Sequence, residues 1–563
     1  MSALSAAIAG RAPVPLSLPP RLTKARPAGL PPVPQTGSLT FGSSNTNGVD
    51  QSVNVGDVGL SAATTSLTLN LDLQAGRKYT FSFWFRTGGP TVTLTDAKGK
   101  KTTVSMANGF TVAKGGTYQL TFSAGYSLKN SANFDNLVIN AKSVLPTTSG
   151  DTKIDALLTG GTGQWWHAAD AAATKGATKV SATANGLAAG SSATALTYSF
   201  MSSAPSGQDG SGFQAMTAAQ KDAVRQAFAY YGKLINVTFT EVQGGGAGDI
   251  NFGTNTQASS AGYAYLPNSS GTKGQTYLYL ANNVATNGDQ GMQPGGYGWE
   301  TILHEIGHTL GLKHPGNYNA GGGGTPGPYL PASLDNHQYS IMSYKDDNAT
   351  RGVNATTPML YDVAALQYLY GANTGSSTAV NGAFAFAPGT SPLETLWSAN
   401  GTDTIDLSQL TNSSKVDLNA GDYSSINITG SSTSTIYSGN NDVAIAYGSA
   451  INHVRLSSAS GVAEGVVLNK AYAAGGFDTV DSVDASDDTI DLKKSLFGAL
   501  TAKNIEFGTA ATKSTSRIIV NNATGEIFYD PDGTGKQAAK KIAQYTTLQG
   551  SGALSATNFA FVA

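Results

Sequence analysis

Between Gly37 and Lys142, apolar and polar residues alternate in short runs: SLTLNLDL, KYTFSFWF, TVTLTD, TYQLTFSA and NLVINA, with Gly turns such as AGRK and KGGT between them. A period of two is that of a half-buried strand, so residues 37–147 are expected to form an antiparallel β-sandwich. From Thr148 the period changes. AMTAAQKDAVRQAFAYYGKL, ending at Leu234, sets Val224, Phe228 and Tyr231 at helical spacing behind Thr217, a suitable N-cap, and the strands VTFTEV, DINFG, GYAYLP and TYLYLA follow. A second helix is expected from about Trp299, and a third in PMLYDVAALQYLYGAN, where Gly371 supplies the C-cap. Residues 148–373 therefore read as an α+β unit. Beyond Asn373 the chain turns rich in Ser, Asn and Gly, and an apolar-x-apolar triplet recurs: Ile405/Leu407, Val416/Leu418, Ile426/Ile428, Val443/Ile445, Val454/Leu456 and Val466/Leu468. Starts mostly about ten to twelve residues apart predict short stacked strands over 374–563, in a β-roll or β-sandwich with degenerate repeats. The final segment should add strands at RIIVNN and EIFYD and a short Ala-rich helix near Lys536 to Tyr545. The fold class expected is multidomain, all-β at both ends with α+β between.

Composition narrows the chemistry. With 563 residues, three or four domains are expected. Charged residues are only 12% of the chain and the formal net charge is −2, which gives no electrostatic basis for nucleic acid or an anionic membrane as partner. No apolar stretch approaches membrane-spanning length. There is no Cys, so a thiol nucleophile, a thiolate ligand and a disulfide framework are all excluded, and any metal must rest on His, carboxylate or Tyr. Residues 1–36 hold eight of the 21 Pro and read as an extended leader or linker. The opening SALSAAIAG is short and lacks a preceding basic residue, so a secretory signal peptide is not expected there.

Of six His, three fall within eleven residues of ILHEIGHTLGLKHPG. Residues four apart share a helical face, so His304 and His308 can offer imidazoles to one ion, with Glu305 beside them. A continuing helix could not return His314 to that ion. Gly311 permits the left-handed turn that does so, and Pro315 ends any helical continuation. Three neutral His around Zn2+ leave a position for water, as in a catalytic site, and Glu305 is placed to act as general base.

HEIGHTLGLKHP, followed by SIMSY at Ser340 to Tyr344, resembles the serralysins, zinc endopeptidases of the metzincin group secreted by bacteria. The strand AGYAYLP, the HPGNYNA after the third His and PMLYDVAALQYLYGAN also look serralysin-like, so the resemblance spans roughly Asp151 to Asn373. It implies that Met342 of the Met-turn forms the floor beneath the imidazoles. It implies further that Tyr344 ligates zinc at rest and swings away to stabilise an oxyanion. Ala261, Gly262, Tyr263, Ala264 and Tyr265 would lie in an edge strand that binds an extended peptide by β-augmentation. The function expected is a secreted zinc metalloendopeptidase acting on peptide or protein substrates. Its rival is a surface-layer or adhesion protein that has kept the fold.

Ca2+ is the second cofactor that the resemblance brings, and this sequence weakens it. The G-G-x-G-x-D repeats of the family are missing as a run; SGNNDV at Ser438 and GGFDTV at Gly475 stand alone. In LWSANGTDTIDLS, Ser398 replaces an expected Asp and Asn400 an expected Gly, leaving only Asp403 of that calcium site. YDPDGTG from Tyr529 reads as a β-turn, because an EF-hand loop would need Glu where Lys541 stands. The C-terminal segment looks like the end of proteins exported by type I secretion machinery, which implies an extracellular or cell-surface location. Residues 37–147 outline an accessory or pro-domain suited to cell-surface or carbohydrate contact. His167, His337 and His453 are expected to be packing or surface residues, with His337 near the rim of the cleft, and Gly321 to Gly324 reads as a loop beside the site.

Overall fold

The computed structural model describes residues 38–39, 42–46, 49–60, 66–73, 77–85, 91–105, 109–112, 116–123, 132–143, 149–159, 194–267, 275–319, 324–346, 353–390, 392–429, 440–459, 461–469 and 476–563. The Pro-rich leader, His167, Gly321 to Gly323, and Ser438 and Gly475 of the two repeat fragments lie outside them. Among the described residues no helix is long and apolar enough to cross a membrane.

Among the described residues, the strands between 38 and 143 form two five-stranded sheets. In the first, Ser66–Leu73 pairs antiparallel with Gly116–Ser123 and buries Leu69, Leu71 and Leu73 against Leu120 and Phe122, the alternate positions of each strand. The second sheet meets it at Phe81, whose ring stands edge-on to Phe122 at 5.9 Å.

The central sheet has the order Val237–Glu241, Thr194–Phe200, Ile250–Asn255, Thr276–Ala281 and Gly262–Ala264. Its first four strands are parallel, and the short fifth runs antiparallel along the edge. Helix Ala218–Leu234 packs on it. Thr217 opens that helix with a capping box: its hydroxyl accepts from the Gln220 N–H, and the Gln220 side chain accepts from the Thr217 N–H. Val224, Phe228 and Tyr231 are buried as the spacing predicts, with Phe228 stacked on Phe239 at 4.4 Å. Helix Tyr297–Thr309 crosses the edge strand, and helix Leu360–Tyr370, buried along its whole length, closes the core.

Past residue 380 the chain winds between two parallel ladders. Thr404–Asp406, His453–Arg455, Asp478–Val483 and Lys540–Thr547 pair side by side in one sheet. Ser414–Asp417, Glu464–Val467, Thr489–Lys493 and Phe559–Val562 pair in the other. In chain order these eight strands alternate between the two sheets, which is the path of a roll, and the triplet residues Ile405, Val416, Val454 and Val466 share its core with Val480 and Ile490. Two expectations fail here. The Ala-rich segment expected as a helix near Lys536 to Tyr545 holds the strand Lys540–Thr547, paired on both sides, and sheet burial of Ile542, Ala543 and Tyr545 overrides its local propensity. Ile426/Ile428 makes no strand, because Asn427 between them adopts a left-handed φ of 58°.

The stray Asp residues of the roll accept backbone N–H groups. Asp442 takes that of Ile426, Asp478 that of Asn469, and Asp488 those of Glu464 and Asp484. Burial pushes Asp478 up to about 7 and Asp488 up to about 6. A folded pKa above the unfolded one means that the folded state holds the proton longer, so stability falls as pH rises from about 4 through about 7. Asp478→Asn cannot ionise. It is expected to melt close to the wild type at pH 4.5 and above it at pH 8; a difference in melting temperature independent of pH would contradict this assignment.

Candidate active site

Helix Tyr297–Thr309 ends in a Schellman turn. Gly311 has φ 99°, its N–H donates to His308 O at 2.9 Å, and the Leu312 N–H donates to Gly307 O at 2.9 Å. A side chain at Gly311 would strain this left-handed corner. The turn reverses the chain and brings His314 back beside the two helical imidazoles.

His314 Nε2 lies 3.2 Å from His304 Nε2 and 3.1 Å from His308 Nε2. These approaches cannot be hydrogen bonds, because each Nδ1 already carries its proton toward an oxygen. His304 Nδ1 donates to Ile341 O at 2.7 Å and His308 Nδ1 to Leu312 O at 2.8 Å. His314 Nδ1 faces Asn319 Oδ1 at 2.8 Å and Tyr318 O at 3.0 Å. Three Nε2 lone pairs therefore converge with no hydrogen to share, a donor set that suits a cation. Nitrogens about 2.0–2.1 Å from one tetrahedral Zn2+ would lie roughly 3.3 Å apart, close to the spacing found. Burial, and then the neighbouring rings, holds His304 and His308 far below the usual His value, His308 down to about 3, so both rings are neutral at physiological pH, the form in which imidazole can bind a cation. Among the described residues this is the one cluster of three His, Asp or Glu groups close enough to hold a metal.

Glu305 is 5% exposed, and its Oε2 is buried without a hydrogen-bond partner. Burial raises it to about 8; a cation nearby would favour the carboxylate and bring it down. The carboxyl sits under the edge strand, where a Cβ on Gly262 would come within 3.2 Å of Glu305 Oε1.

Strand Gly262–Ala264 turns one backbone edge to its neighbour and the other outward. Ala261 O accepts from the Ala281 N–H, and the Tyr265 N–H donates to Tyr277 O. By alternation the backbone groups of Gly262 and Ala264 face the open side, and among the described residues no strand pairs there. The five residues read as substrate-binding thus divide. Ala261, Tyr263 and Tyr265 anchor the strand, both tyrosine hydroxyls donating to Asp209 at 2.6 and 3.0 Å, while Gly262 and Ala264 present the free edge.

Met342 is fully buried, and its Sδ would lie 2.8 Å from a Cβ at Gly307, so the turn packs on bare helix backbone between His304 and His308. Tyr344 is 49% exposed, its ring 4.4 Å from that of His314 and 6.0 Å from that of His304, backed by Tyr318 at 5.0 Å. Burial, with Glu305 next, pushes its hydroxyl up to about 12.

Sequence reasoning missed the residues that hold this turn. Asp362, fully buried, accepts from Ser340 Oγ at 2.6 Å and from the Ile341 N–H at 2.8 Å, so it fixes the carbonyl that orients His304. The single charged residue in PMLYDVAALQYLY was the available signal. Asp335, which accepts from Ser343 Oγ and Lys345 Nζ, gave none. In the calcium segment, Asp403 is buried and accepts from Ser398 Oγ at 2.6 Å, so the substituted serine occupies the carboxylate.

Residues 176–367 match the family model Reprolysin_5, metallo-peptidase family M12. Serralysin C of Dickeya chrysanthemi is 36% identical over 260 residues, covering 41% of this chain and 52% of the relative. Metallopeptidase AprA of Pseudomonas marginalis is 36% identical over 257 residues, covering 41% and 54%. The chain thus spans about half the length of the curated relatives it matches. Among solved structures, that of myroilysin is 17% identical and covers 35% of this chain and 87% of its own, at a TM-score of 0.22, too low to bear on the fold.

Proposed function

We propose that this chain, which carries a serralysin-like metallopeptidase domain, is a secreted zinc-dependent endopeptidase. The observation that carries the reading is the convergence of three proton-free imidazole nitrogens beside a buried, partnerless glutamate, under a strand with one open edge. His304, His308 and His314 would hold the ion. When bound, zinc would supply Lewis acidity, making water nucleophilic at neutral pH and polarising the scissile carbonyl.

The protein's own groups do the rest. An extended peptide pairs with the backbone of Gly262 and Ala264, which recognises main chain and leaves side-chain preference broad. Glu305 takes the proton of the attacking water at its unpartnered Oε2 and delivers it to the leaving amine. Tyr344, which would hold the ion at rest and swing away, donates its hydroxyl hydrogen to the oxyanion of the tetrahedral intermediate; a hydroxyl pushed up to about 12 keeps that hydrogen across the physiological range while it is off the ion. Met342 supplies an apolar floor that holds the imidazoles in place.

Unfolded casein is the direct test: the zinc-loaded protein should cleave it, and an adhesion protein would bind without turnover. Tyr344→Phe is expected to lower kcat on the order of 10²-fold with KM little changed, as for loss of one oxyanion donor. An unchanged kcat would remove that role. For the remaining chain, we read 1–36 as leader, 37–147 as an accessory or pro-domain, 148–373 as the catalytic domain and 374–563 as a roll bearing a type I secretion signal. Mass spectrometry of secreted protein for a new N-terminus near Thr148 tests whether the first two are removed.

A further inference from the structure

His337 grips the chain on both sides of Tyr344. Its ring Nε2 donates to Ser343 O at 2.8 Å, and its own backbone N–H donates to Lys345 O at 2.9 Å. Its Nδ1 then faces two carboxylates, Glu300 Oε1 and Asp346 Oδ1, each at 3.3 Å. Glu300 is 5% exposed, neither of its buried carboxylate oxygens has a hydrogen-bond partner, and the His337 ring lies within ion-pair reach of it. Glu300 stands on helix Tyr297–Thr309 one turn before His304. The same helix that carries two of the imidazoles is thereby tied, through His337, to the backbone that carries Tyr344. This is more than the rim contact expected of His337.

We infer that His337, held between Glu300 and Asp346, is a positioning residue for Tyr344: by clamping Ser343 and Lys345 it fixes the pivot from which the tyrosine ring docks and swings. Lys345 and Ser343 are also held from the other side by Asp335, so movement of the ring falls to its side-chain torsions rather than to the turn. The inference rests on the proposed role of Tyr344 at the metal.

Copper(II) substituted for zinc gives a readout other than activity, since a phenolate bound to Cu(II) gives a charge-transfer absorption in the visible. Wild-type protein should show this band, and Tyr344→Phe should lack it. His337→Leu, with metal content and melting temperature retained, should weaken or shift the band and lower kcat about tenfold while KM stays within about twofold. His337→Gln, whose amide can donate to Ser343 O as Nε2 does, should restore most of both. A His337→Leu protein with the wild-type band and wild-type kcat overturns the inference alone. A wild-type protein with no band overturns Tyr344 as a ligand, and this inference with it. Should His337→Leu fail to fold, His337→Gln against His337→Asn makes the same comparison, because the shorter amide falls short of the carbonyl; equal bands in those two overturn the inference.

Discussion

Glu305→Gln should bind zinc as the wild type does and lose peptide hydrolysis by roughly 10²- to 10⁴-fold, the range for a general acid–base residue. Gln keeps the shape of the side chain, so the packing under Gly262 and the three imidazoles is undisturbed. What disappears is a group that can accept a proton. Glu305 Oε2 is the atom at stake: it is buried beside the converging nitrogens, and among its neighbours none donates to it. Elemental analysis and casein digestion on one preparation settle the matter. Wild-type turnover in a variant holding one zinc per chain would show that another group takes the proton.

Removing zinc with a chelator should abolish hydrolysis and lower the melting temperature, and zinc added back should restore both. The loss of stability follows from linkage. An ion that binds only the folded site at a thousand times its Kd contributes about 4 kcal/mol, which for a domain of this size is on the order of 10 °C. The apo site sharpens the effect, since the lone pair of His314 is left facing those of His304 and His308 at 3.2 and 3.1 Å in a buried setting. Calcium alone should not restore hydrolysis, because imidazole nitrogens suit zinc and calcium takes oxygen ligands. Full turnover after complete loss of the metal would overturn the reading at its root.

How much could be read in the sequence varies from residue to residue. His304, His308, Gly311 and His314 lie within one helix and its closing turn, and local geometry sufficed to bring them together. Thr217 as N-cap was legible for the same reason, since a capping box is a matter of four consecutive residues. The Ala-rich segment near Lys540 misled, because its partners, Asp478–Val483 and Glu526–Tyr529, come from distant coils and a strand's stability is decided by them. His337 looked bland because nothing near it in the chain indicates that Glu300 will face its ring.

The chain by itself determined the ligand chemistry: which side chains can hold an ion, at what helical offset, and that no thiol competes with them. Only the tertiary structure decided which nitrogen of each imidazole is free. That choice is made by the carbonyls of Ile341, Leu312 and Tyr318 and the amide of Asn319, and every backbone carbonyl is chemically alike until folding sets one beside a given ring. The same holds for the open edge at Gly262 and Ala264, which exists because sheet order, not composition, leaves that strand last.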